Sequence, residues 1–159
     1  MRICLDVCAI QRPFDDATQR AILDETDALF GVIALVEKGV VELVGSFALE
    51  IENAANPDPI KRDYTSMVLL LATQRVEPSA VVQHLTDSYR ALGIETWDAT
   101  HLAAAVEARV DFFCACDHKL LRRARKAARP TPPSASSVAL LRWWSLKVMS
   151  SCISPVEAT

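Results

Sequence analysis

Short apolar runs alternate along the chain with longer stretches of helical period. Ile3 to Leu5 closes on Asp6, Val40 to Val44 is a second run rich in β-branched residues, and Asp111 to Cys116 closes on Asp117. Each has the length and boundaries of a buried strand feeding a loop, and Leu146 to Met149 is a shorter candidate of the same kind. Between them, residues 16–38 place Ile22, Leu29, Ile33 and Val36 or Leu35 at helical spacing, with Gly39 as the stop. Ser46 predicts the N-cap of a helix over 47–55, which Asn56-Pro57-Asp58-Pro59 ends. A further helix is predicted over 59–73 with Met67, Val68, Leu70 and Leu71 inward, and another over 79–92, stopped at Gly93. Asp98 opens a helix rich in small residues (Ala99, Ala103, Ala104, Ala105, Ala108), and Lys119 to Ala128 forms a basic one. The biased segment RPTPPSASS at 129–137 reads as an exposed loop, and the placement of 129–145 is left open.

This alternation predicts one α/β domain over 1–159, built on a mostly parallel sheet. Ligands of such sheets gather outside the carboxyl ends of the strands, where strand order reverses. Acids recur at those ends: Asp6 after the first run, Glu50 and Glu52 soon after the second, Asp117 after the third, and Asp98 at the start of the preceding helix.

The 159 residues are 51% apolar and 23% charged, enough to bury a core without a disulfide or structural metal. No stretch reaches the roughly 18 apolar residues that a membrane span requires. The acid at position 6 is foreign to the apolar core of a signal peptide, so a cytoplasmic protein is expected. Five cysteines, an odd number, fit buried thiols in a reducing compartment better than a disulfide framework. A zinc site built from Cys4, Cys8, Cys114 and Cys116 is disfavoured, because the Cys-x-Cys of 114–116 lies inside an apolar strand.

The net charge of −3 hides a division. Residues 1–118 hold 19 acids and 9 bases, whereas the remaining 41 hold 8 bases and one acid. Lys119, Arg122, Arg123, Arg125, Lys126 and Arg129 place six cations within eleven residues directly after Asp117. Such a cluster would follow a phosphate backbone without reading sequence; a solvated helix face is the plainer explanation, and an acidic protein partner a third.

Gathered carboxylates repel one another, and a hard divalent cation is the usual remedy. With phosphate substrates such an ion activates water and stabilises the leaving oxygen, so the chemistry to expect is metal-assisted phosphodiester hydrolysis. Capping is the competing role for any single acid at a helix start. No Gly-rich phosphate loop follows a strand and no G-x-S-x-G elbow is present, so nucleotide-cofactor and serine-hydrolase chemistry lack support.

Leu5-Asp6 after a short strand, SFALEIEN at 46–53, WDATHLAAA at 97–105 and CACDHKLLRRA at 114–124 together resemble the PIN domain family, in order and in spacing, over Met1 to Ala128. LDVCAIQRPFDD and ENAANPDP are similar to a prokaryotic branch of PIN proteins. The resemblance implies a three-layer α/β/α sandwich, cleavage of RNA with Mg²⁺ or Mn²⁺, an antitoxin partner as for VapC-type toxins, and a homodimer. Position by position it matches Asp6, Asp98 and Asp117 to the first, third and fourth acids of the family site. The second is Glu52 or Glu50, which lie about 200° apart around a helix, with the spacing from Ser46 favouring Glu52. In that reading Asp6, Asp98, Asp117 and the glutamate are the metal and catalytic residues; beside them, the charge cluster and the loop positions make Lys119, Arg122, Arg123, Arg12 and His118 the candidates for contact with substrate.

Two positions depart from the family pattern. Val7 and Ala115 stand where many PIN domains carry hydroxyls that position water, metal or phosphate. The alternative they motivate is a PIN-fold nucleic-acid-binding or regulatory module with weakened catalysis. His101, three residues after Asp98, is expected to pack inside its helix rather than bind a ligand, and Arg12 to pair with Asp15 or Asp16 rather than with phosphate. Trp143 and Trp144, near Leu140 and Leu141, either close the core or form a partner surface.

Overall fold

A computed structural model describes residues 1–127, with side chains through Ala124. The expectations for the 129–137 loop, the 140–144 aromatic patch and the 146–149 strand, and for the side chains of Arg125, Lys126 and Arg129, lie outside the described residues. Four strands, β1 (Arg2–Leu5), β2 (Glu42–Ser46), β3 (Gln74–Val76) and β4 (Phe112–Cys114), form one sheet in the order β3-β2-β1-β4. Every pairing is parallel, with Ile3 opposite Leu43 on one side and Phe112 on the other. Among the described residues there are seven helices: α1 (Val7–Ile10), α2 (Arg20–Glu37), α3 (Phe47–Ala55), α4 (Pro59–Leu69), α5 (Ala80–Ala91), α6 (Thr96–Glu107) and α7 (His118–Ala127).

The alternation of each strand divides the core in two. Ile3, Leu5, Leu43 and Cys114 pack with Leu29, Val32 and Val36 of α2 and Val68 of α4. Cys4, Val44 and Phe113 point the other way, into Leu102 and the alanines of α6, Tyr89 of α5 and Leu120 of α7. Helices therefore cover both faces of the sheet, the arrangement in which all-parallel strands are stable. The small residues of α6 allow it to lie close to the sheet, and Ala99, Ala103, Ala104 and Ala105 are all but fully buried. Among the described residues, no helix is long and apolar enough to cross a membrane.

Local chemistry sets most boundaries. The Ser46 side chain accepts from Leu49 N, and Ser79 caps α5 in the same way, each cap contributing about 1 kcal/mol. Gly39 and Gly93, with φ of +69° and +82°, supply the left-handed residues that end α2 and α5. Several expectations need correction. Asp16 does not open α2: its carboxylate accepts from the backbone and hydroxyl of Thr18 in a turn, and the helix begins at Arg20. The loop after β1 is itself helical, as α1 and a short 3-10 turn at Arg12–Phe14. Finally, α4 ends before 73, because Thr73 N turns to Leu43 O and the chain enters edge strand β3. The inward side of α4 is Thr65 and Val68, while Met67 and Leu70 are exposed. Strand β3 left no apolar run, since Gln74 and Arg75 face solvent on the edge.

Candidate metal centre

From β1 the chain adds β2 and β3 on one side and later returns to place β4 on the other. The crevice beyond the carboxyl ends of β1 and β4 is thus the switch point where parallel sheets gather ligands. Asp6 stands at this point, its backbone N–H bonded to Cys114 O at 2.8 Å and the residue 6% exposed.

Two helices bring further groups to Asp6. Ser46 starts α3 at the end of β2, so Glu52 arrives beside β1 on the second turn. Asn53 ties that turn to α4, donating to Arg62 O and Ser66 Oγ at 3.0 Å each. Helix α6 contributes His101, 2% exposed, whose Nε2 lies 2.5 Å from Glu52 Oε2 and 3.9 Å from Asp6 Oδ1. One donor atom from each of Asp6, Glu52 and His101 falls within 4.8 Å of the other two.

The 2.5 Å contact is a hydrogen bond and not a pair of ligands to one ion. Cis ligands about 2.1 Å from a metal sit roughly 3 Å apart. His101 Nδ1 has no hydrogen-bond partner among the described residues. With nothing to receive a proton at Nδ1, a neutral ring carries its proton on Nε2, as a charged ring does too, so His101 donates to Glu52 in either state. Its role is to orient a carboxylate, as partners of metal ligands commonly do. The sequence expectation of a buried, packing histidine holds for its burial but missed this bond, which joins two helices far apart in the chain and left no local signal.

Electrostatics follow from the crowding. Burial, with added repulsion from Glu52, holds the Asp6 carboxyl well above the usual range, only partly offset by His101. Burial raises Asp98 as well, aided by the charges of Asp117, Glu95 and Glu52 and partly offset by His101. For His101, burial pulls downward, but the bond to Glu52 and the charges of Asp6, Glu52 and Asp98 outweigh it and raise the imidazole. Asp98 lies in the first turn of α6, half-buried. Asp117 is exposed and caps α7, Oδ1 accepting from Lys119 N at 2.7 Å and Leu120 N at 3.2 Å.

Val7 and Ala115 are buried in the core and bring no hydroxyl to the crevice. The neighbouring Cys8 supplies a donor instead, its thiol 2.8 Å from Asp6 Oδ2. Bonding to Cys116, then burial, keeps Cys8 protonated as that donor requires. Burial followed by Asp6 pushes Cys4 up to about 12. Cys4 and Cys114 lie in different core clusters on opposite faces of the sheet, so the cysteines do not converge on a zinc.

Two of the sequence candidates lie elsewhere. Glu50 turns away from the cluster to Arg75, which grips both carboxylate oxygens at 2.5 and 2.6 Å and lowers its pKa. Arg12 binds buried Glu25 as well as Asp15, 2.9 Å away, so it braces the first loop against α2 and is not free for phosphate. His118, Lys119 and Arg122 are exposed, and Lys119 and Arg123 come within 3.7 and 4.0 Å of Glu95. Comparison of the chain with models of protein families, with curated proteins and with solved structures finds no significant match.

Proposed function

We propose that the chain is a divalent-metal-dependent ribonuclease of PIN type, an α/β/α sandwich whose carboxylate site is Asp6, Glu52, Asp98 and Asp117. The carrying observation is the meeting of Asp6 and Glu52, from two separate elements, at the switch point of a parallel sheet with Asp98 at its border. The donor set fits a hard cation. A buried carboxylate beside a second one is costly when ionised, and a divalent ion relieves that cost with oxygen ligands. Asp6, Glu52 and Asp98 would hold Mg²⁺ or Mn²⁺, with Asp117 completing the site. Such an ion, when bound, polarises a phosphodiester and lowers the pKa of water.

The protein's own share is preorganisation. Cys8 fixes Asp6, His101 fixes Glu52, and the α6 helix start presents Asp98. Lys119, Arg122 and Arg123 line the following helix, where they would steady phosphates without selecting sequence. The resemblance to VapC-type toxins makes a small antitoxin the expected protein partner.

Incubating the protein with a mixed RNA pool, with Mn²⁺, with Mg²⁺ and with chelator, tests the reading. Metal-dependent cleavage that Asp6→Asn and Asp98→Asn each abolish is expected. Activity that survives both substitutions rules out this site. Metal-independent RNA binding with no turnover selects the non-catalytic module that Val7 and Ala115 motivate.

A further inference from the structure

Beside Asp98, a groove opens between α5, the start of α6 and the start of α3. Its walls include Phe47, Val82, Gln83, Trp97 and Thr100, and Thr86 lies in its floor. Trp97 is 47% exposed although it is the immediate neighbour of Asp98, and its ring leans over His101 at 6.5 Å between centroids and 29° between planes. That contact holds the indole in place while leaving much of its surface to solvent. The same side chain walls a second groove, which contains Asp98 and Arg90. Trp97 therefore stands between the carboxylate crevice and a pocket of its own.

The pocket's chemistry is that of a planar heterocycle. Its cavity of about 230 Å³ is smaller than the roughly 300–1,000 Å³ of sites enclosing drug-sized ligands, and it suits one ring system. Two aromatic side chains border it, and aromatic faces stack bases of any sequence. Along the groove the hydroxyls of Ser79 and Thr100 are engaged where they cap or brace helices, so the aromatic faces supply its contact surface.

We infer that this groove is a nucleobase pocket: it stacks one unpaired base of a single-stranded RNA on Trp97 while the adjoining phosphate reaches Asp98. The inference rests on the nuclease reading of the neighbouring site, since a base flanking the scissile phosphate needs a seat within one nucleotide of it.

Fluorescence anisotropy with labelled eight-residue oligoribonucleotides, intact or with abasic positions, measures the base contribution directly. Chelator is present so that nothing is cleaved, and repulsion from the acids then weighs equally on every oligomer. Intact oligomers are expected to bind wild type more tightly than abasic ones. Trp97→Ala is expected to weaken the intact oligomers about 5- to 150-fold, corresponding to the ~1–3 kcal/mol of a stacked base, and leave abasic ones unchanged. Trp97→Phe should keep most of the affinity. Equal binding of intact and abasic oligomers by wild type, or no differential loss in Trp97→Ala, overturns the pocket. If metal-dependent cleavage persists alongside such a result, only the pocket falls and the nuclease reading stands.

Discussion

Glu50 and Glu52 sit two residues apart on one helix and have unlike surroundings. Glu50 is an exposed carboxylate gripped by Arg75, which keeps it ionised. Glu52 is partly buried, bonded to His101 and close to Asp6, among acids that repel one another. A helix advances about 200° over two residues, and that rotation alone separates a surface ion pair from a member of a crowded crevice. Carboxylate identity thus says little about function. What matters is whether the neighbours neutralise the charge or leave it to be neutralised by something else.

The largest test of that contrast acts on the crevice side. Asp6→Asn should lower metal-dependent cleavage by more than the roughly 10–100-fold that loss of an outer-shell partner brings. It should also raise the melting temperature of the ion-free protein by several degrees at neutral pH. Folding holds the Asp6 carboxyl above its ordinary range, so its contribution is favourable at low pH and is lost as pH rises from the usual carboxylate range through the raised value. The stabilisation given by Asn should therefore grow across that window and then level off, as melting curves from acid to neutral pH would record. A variant that melts earlier at neutral pH would show that Asp6 is well paired without a cation.

His101→Phe keeps a buried ring and removes the donor to Glu52. We expect metal affinity to fall about 10–100-fold, as for other outer-shell partners, with far-UV dichroism unchanged. Loss of helical signal would instead assign His101 to packing alone. On the other side of the comparison, Glu50→Gln and Arg75→Ala should each change stability by less than about 1 kcal/mol in urea unfolding, and activity by less than twofold, because the pair is exposed. A large activity loss in either would move the site boundary to include Glu50.

The sequence carries the fold where its signals are local and redundant. Ser46, Ser79, Gly39 and Gly93 mark their helix ends unaided, and the apolar runs at 3–5, 40–44 and 111–116 each fall on a strand. The edge strand β3 escapes, because one buried residue of three makes no period. The facing of α4 also escapes: Met67 and Leu70 are as apolar as Val68, and only the tertiary position of the helix decides which side meets the sheet. Within the site, Asp6 and Asp98 were legible from strand ends and helix starts. Neither the Cys8 thiol standing in beside Val7 nor the His101 bond to Glu52 was, since each depends on a distance across elements far apart in the chain.

Titration of Mn²⁺ into the protein, followed by the loss of the free-ion electron paramagnetic resonance signal, addresses the carboxylate site most directly. Wild type and Glu50→Gln should remove the signal with the same affinity, while Glu52→Gln and Asp6→Asn should bind at least about tenfold more weakly. Equal binding by all four proteins, or none by wild type, would contradict a cation site at Asp6 and Glu52.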